Sequence, residues 1–72
     1  MDLTDEFIRS AIVEKCSAEV TGNAHKIMGK AGEAASKTGH DRMRSLLELL
    51  RVVERTHELT MTMIATVDEG KV

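Results

Sequence analysis

The residues of this chain best suited to chemistry are three histidines, one cysteine and twelve carboxylates. His25 lies in Ala24-His25-Lys26-Ile27-Met28-Gly29-Lys30-Ala31-Gly32. An imidazole nitrogen is a good nucleophile near neutral pH, and a glycine one turn further on removes the side chain that would bar an approaching protein. Lys26 and Lys30 would meet an acidic pocket on such a partner. Glu54 and His57 form a Glu-x-x-His pair, the ligand pair that di-iron bundles place on facing helices. A dimer would bring two such pairs together, with Glu14 or Glu19 adding carboxylates. Each constellation has a plainer counterpart. His25 reads equally as a solvated residue beside small packing side chains. His57 reads as a polar seam residue that fixes register and oligomeric state, bonded to Thr60 or a glutamate. Cys16 has no His near it in sequence and no second Cys, so a small buried thiol is expected rather than a nucleophile.

The segment around His25 resembles the phosphorylation motif of histidine-phosphotransfer (HPt) domains. In that family a surface His on a bundle helix is preceded by Ala and followed four residues later by Gly. A small residue comes two further on, often with another Gly. Ala24, His25, Gly29, Ala31 and Gly32 occupy those places. The resemblance implies that His25 accepts phosphate from an aspartyl phosphate and passes it on. The sequence departs from the pattern at Met28, where the family usually has Lys. HPt domains are also longer, with four helices in one chain, so a dimer would have to supply the remainder.

Other chemistry finds no support. The chain has no phosphate-binding glycine loop, Ser-His-Asp set or CxxC pair, which removes ordinary hydrolase and nucleotide-binding readings. Lys37, His40, Arg42 and Arg44 make one short stretch mildly basic, as a solvated turn would be. Charge is otherwise balanced: residues 1–36 hold four basic and six acidic groups, and residues 37–72 hold six of each. A net charge of −2 argues against nucleic acid or anionic membrane as a main partner. The start lacks the basic region and apolar run of a signal peptide, and nowhere are there eighteen consecutive apolar residues. With the lone thiol, this predicts a cytoplasmic protein. No cofactor is implied, and contact rather than catalysis is the expected work.

The elements that would position these residues are helices. Proline is absent, and helical periodicity over residues 4–68 is interrupted only at Thr21-Gly22-Asn23 and Thr38-Gly39-His40. Thr4 is the expected first N-cap, with Leu3 and Ile8 at staple positions. The first apolar row is Ile8, Ile12, Cys16, Val20 and Ala24, continuing through Ile27, Ala31 and Ala34 or Ala35. One long helix is expected, with a weak point near Gly22. Gly39 supplies a left-handed residue at its end, and Asp41 is the expected N-cap of a second helix.

The second helix carries two apolar rows. Met43, Leu46, Leu50, Val53, His57, Thr60, Ile64 and Val67 follow alternating three- and four-residue steps, a coiled-coil seam assigned to the core. Leu49, Val52, Thr56, Leu59, Met63 and Thr66 keep the same rhythm on an adjoining face. In that assignment Leu49, Val52, Leu59 and Met63 bind a partner. Met28, Met43, Met61 and Met63 are core filler or an adaptable docking surface. One partner helix cannot cover both rows, and a 72-residue chain with one Phe, no Trp and no Tyr cannot build a thick core. The expected fold is therefore a single small all-α domain: an antiparallel helical hairpin that dimerises into a four-helix bundle. The expected function is a self-associating protein–protein interaction module, such as a small adaptor, chaperone or assembly subunit, with itself or a helical protein as partner. Phosphotransfer through His25 is the alternative, and metal binding at Glu54 and His57 a further one. With His57 buried in the seam, acidification would loosen the assembly, which a dimerisation constant compared between about pH 7 and 5.5 tests.

Overall fold

The computed structural model describes the backbone of residues 3–69 and the side chains of residues 5–69. Two helices, α1 (Leu3–Ser36) and α2 (Gly39–Glu69), fold back on each other as an antiparallel hairpin. Among the described residues there is no strand. At 1.5 Å per residue the 34 residues of α1 span about 50 Å, which accounts for the 55 Å length of the molecule. The radius of gyration, 16.5 Å, exceeds the roughly 11 Å of a compact domain of this size, so the chain is a rod two helices wide.

α1 runs without a break through Thr21-Gly22-Asn23, as one long helix. The Thr21 hydroxyl donates back to the Ser17 carbonyl at 3.0 Å, so this side chain is satisfied within the helix. The helix begins at Leu3, one residue before the expected cap; the side chains of Leu3 and Thr4, and with them the cap and staple, lie outside the described residues.

The turn is short. Gly39 has φ of 59°, the left-handed conformation expected of it. The first bond of α2 runs from the Arg42 amide to the Thr38 carbonyl at 3.3 Å, so the helix starts ahead of Asp41, which lies within its first turn instead of capping it. α1 has no basic residue in its last turn. Arg42 replaces one from across the turn, its Nε donating to the Ala34 carbonyl at 2.9 Å. A guanidinium there satisfies an orphan acceptor and complements the negative end of the helix dipole.

The rows that meet inside the hairpin differ from those expected. On α1 the buried or half-buried positions are Arg9, Val13, Cys16, Val20, Asn23, Ile27, Lys30 and Ala34, with Glu33 half-buried beside them, while Ile8, Ile12, Ala24, Ala31 and Ala35 are exposed. A row of four-residue steps drifts by about 40° per step and would leave a straight partner within a few turns. Alternating steps of four and three average 3.5 and stay aligned along the whole rod. The seam therefore includes Asn23 and Lys30 and leaves Ile8 and Ile12 beside it.

On α2 the hairpin closes on Ser45, Leu49, Val52, Thr56, Leu59, Met63 and Thr66. This corrects the expected roles. Leu49, Val52, Leu59 and Met63, assigned to a partner, are the interior row. Met43, Leu46, Leu50, Val53, His57, Ile64 and Val67, assigned to the core, are exposed in the hairpin. Two features favour this closure. Thr56 and Thr66 each donate a hydroxyl to the carbonyl four residues earlier, both at 2.8 Å, so burying them leaves no donor unmade. Glu48 and Arg55 flank the Leu49 row and reach Lys30 and Glu19 of α1 only when that row faces inward.

The interior is thin. Among the described residues, Leu59, at 5% exposure, and Ala34 are the only buried apolar residues, alongside Asn23, Ser45 and Thr66.

Candidate interaction face

Antiparallel helices in contact share two sides. Residues one step before a seam position fall on one side of both helices, and residues one step after it fall on the other. The first side is charged. There Glu19 accepts from Arg55 Nε at 3.0 Å, and Lys30 pairs with Glu48. Arg55 also approaches Glu58 at 3.6 Å, while Lys30 and Lys37 approach Glu33 at 3.3 and 3.8 Å. Hydrogen bonds to Glu48 and then Glu33 hold the Lys30 ammonium above its ordinary range. The Lys30 hydrogen bond and charge hold the Glu48 carboxyl below the usual carboxylate range. Glu19 likewise raises Arg55. These groups remain open to solvent, Lys30, Glu33 and Glu48 half-buried and Glu19 and Arg55 exposed, so they position the helices more than they stabilise them.

The second side is apolar. α2 presents Leu46, Leu50, Val53, His57, Thr60, Ile64 and Val67 there, every one exposed. α1 presents Ser10, Glu14, Ser17, Thr21, Ala24, Met28, Ala31 and Ala35 beside them, also exposed. Val67 lines one shallow depression together with Ser10 and Glu14, which confirms that the two rows share a side. Phe7, the chain's only aromatic residue, continues the α1 row and is 75% exposed. Sequence reasoning assigned it no role. The signal was available: an aromatic residue in the first turns, with no basic or aromatic neighbours to explain its exposure, fits only the rhythm of this row.

Among the other expected residues, His25 is exposed on the back of α1, two residues past the buried Asn23. No atom outside the local backbone lies within 4 Å of where a side chain at Gly29 would begin, so the approach to that segment is open. Glu54 and His57 are both exposed. Among the described residues no group of three or more His, Cys, Asp or Glu side chains could hold a metal ion, so Glu54 and His57 remain a two-residue set within one chain. His57, expected in the seam, instead faces out of the hairpin. Cys16 is a half-buried free thiol in the seam. Met63 fills the interior, whereas Met28, Met43 and Met61 are exposed. Lys37, His40, Arg42 and Arg44 surround the turn, with Arg42 committed to the Ala34 carbonyl.

Among the described residues no helix is long and apolar enough to cross a membrane. No family model, curated protein or solved structure matches this chain.

Proposed function

We propose that this protein is a helical interaction module that works by associating with itself, two hairpins burying their apolar sides against each other as a four-helix bundle. The observation that carries this reading is the exposed row Leu46, Leu50, Val53, Ile64 and Val67, which holds more large aliphatic side chains than the row inside the hairpin. Area agrees. The chain exposes 5557 Å², against roughly 4,400 Å² for a compact monomer of its 7.9 kDa mass. The excess of about 1,100 Å² is enough to supply one side of a standard interface, about 800 Å² per partner. An assembly, adaptor or chaperone subunit in the cytoplasm is the role such a module would fill.

Light scattering tests this directly. The wild-type protein is expected at twice the monomer mass or more, and Leu50→Glu, which puts a charge in the centre of the apolar side, at the monomer mass. Lys15→Glu, on the charged side, should leave the mass unchanged. A wild-type monomer that stays well folded on dilution overturns the reading, and a poorly folded one assigns the face to a different helical protein.

A second reading, phosphotransfer through His25, is favoured by one observation: His25 is exposed on an unbroken helix with open space at Gly29. An imidazole nitrogen would attack the phosphorus of an aspartyl phosphate. The acyl P–O bond would break, the carboxylate would leave and a phosphoramidate would form. Incubation with a phosphorylated receiver domain should then give an acid-labile phosphohistidine signal that is lost in His25→Gln. Its absence in the wild-type protein removes this reading.

A further inference from the structure

The apolar side is uneven in a way that specifies how a second copy fits. Near the turn α2 carries Leu46, Leu50 and Val53, whereas α1 beside it carries Thr21, Ala24, Ala31 and Ala35, small except where Met28 interrupts them. The side is thus a ridge along α2 and a trough along α1, and a copy of the same side offers the matching trough and ridge. Helices at 8–10 Å pack by placing ridges into grooves, so an even separation requires large side chains to face small ones.

Resting on the self-association proposed above, we propose that the two hairpins are related by a two-fold axis parallel to the 55 Å length of the rod. α2 of each copy lies on α1 of the other, and both turns are at the same end. This rotation keeps every residue at its own level, so Leu50 and Val53 of one copy settle over Ala24 and Thr21 of its partner, and Leu46 lies beside Met28 and Ala31. The other face-to-face arrangement, with the axis across the rod, sets ridge on ridge and trough on trough and wedges the bundle open along α2.

Charge makes the same choice. The Glu19–Arg55 ion pair fixes the level of the two helices, which places Glu14 level with Thr60. In the proposed arrangement Glu14 meets Thr60 and His57 of the second copy, the polar members of the α2 row. In the other it meets Ala24 and Met28, the residues of that level on the apolar side, and leaves a carboxylate facing apolar groups.

The distance between turns reads this out. Thr38→Cys in a Cys16→Ala background carries a single nitroxide label at the exposed turn, and Lys37→Cys gives a second, independent position. Helical content by circular dichroism and mass by light scattering are measured on the same samples. Pulsed dipolar spectroscopy of the dimer should give one distance within about two interaxial spacings, roughly 20 Å. A dimer with a distance near the 55 Å length of the rod, alone or beside a short one, overturns the arrangement while leaving self-association standing. A wild-type monomer in light scattering overturns the self-association on which the arrangement rests.

Discussion

The two rows of α2 have the same rhythm and opposite fates. Ser45, Leu49, Val52, Thr56, Leu59, Met63 and Thr66 face α1; Leu46, Leu50, Val53, His57, Thr60, Ile64 and Val67 face outward. Three of the seven inner residues are Ser or Thr, and Asn23 and Lys30 stand in the α1 seam opposite them. The outer row is the more apolar of the two. A hairpin that buried its best row would leave a polar surface and need nothing further. This one spends its small and polar residues on the internal contact and keeps its aliphatic bulk outside. On the self-association proposed above, the difference implies that association adds to the stability of the hairpin, because neither row alone supplies a core of ordinary thickness.

Truncating one leucine in each row separates the two contributions, and the larger loss is expected inside. Leu59→Ala removes the most buried leucine and should cost about 3 kcal/mol at any protein concentration, read as a shift of the urea midpoint. Leu50 is 51% exposed, so in a dilute monomer Leu50→Ala should cost under about 0.5 kcal/mol. In the associated protein it becomes a core substitution costing about 2 kcal/mol or more. A Leu50→Ala cost that is the same at low and high concentration breaks the comparison, since the outer row would then contribute nothing to assembly.

The inner row's polarity can be tested from the other direction. Asn23 is 7% exposed and its Nδ2 has no hydrogen-bond partner. A buried unmade donor costs roughly 1–3 kcal/mol, so Asn23→Leu should stabilise the hairpin by about 1.5 kcal/mol in thermal or urea unfolding. A polar residue in a seam also excludes alternative registers. The same variant is therefore expected to lose uniqueness, showing broader amide resonances or mixed masses in light scattering. Destabilisation instead would mean that the Asn23 amide is bonded in the assembled protein.

How far the sequence discloses this can be followed residue by residue. The hairpin is legible because proline is absent and Gly39 stands where a left-handed residue must. Both α2 rows are legible because alternating three- and four-residue steps appear nowhere else so cleanly. Which row turns inward is not, because hydrophobicity ranks the rows in the wrong order. What decides it is interhelical: ion pairs from Glu19 and Lys30 that depend on register across the turn, while hydroxyls satisfied on their own helix let Thr56 and Thr66 be buried. The α1 seam is hidden for a related reason. Isoleucines at positions 8 and 12 suggest a four-residue row, and only a straight antiparallel partner enforces the 3.5 average that puts Asn23 inside. His25 was legible as exposed, and its chemistry still rests on the local motif.

The turn offers a smaller and more local effect. Gly39 at φ 59° has open space around it, so Gly39→Ala meets no clash and tests conformation alone. An L-residue in the left-handed region costs about 1 kcal/mol, and the urea midpoint should fall accordingly, equally in the wild-type and Leu50→Glu backgrounds. A larger loss in the associating background would show that the turn is also part of the interface.

The smallest expected effect lies on the charged side, where it can be set against the apolar one. The folded-state pKa of Glu48 is lowered, so its contribution is present above the unfolded value of about 4.3 and is lost as pH falls through the folded value. That of Lys30 is raised, so its contribution is present below about 10.4 and is lost as pH rises through the folded value. The pair's contribution should therefore be flat between these limits and decline on both sides, and Glu48→Gln should remove it. Both groups are only half-buried and reach solvent, so about 1 M NaCl should largely abolish the difference between wild type and Glu48→Gln. Association through Leu46, Leu50 and Val53 should persist in the same salt, because burial of aliphatic surface is not screened. If salt dissolves the assembly while leaving the hairpin folded, charge rather than the apolar row holds the copies together, and the two sides of the molecule exchange roles.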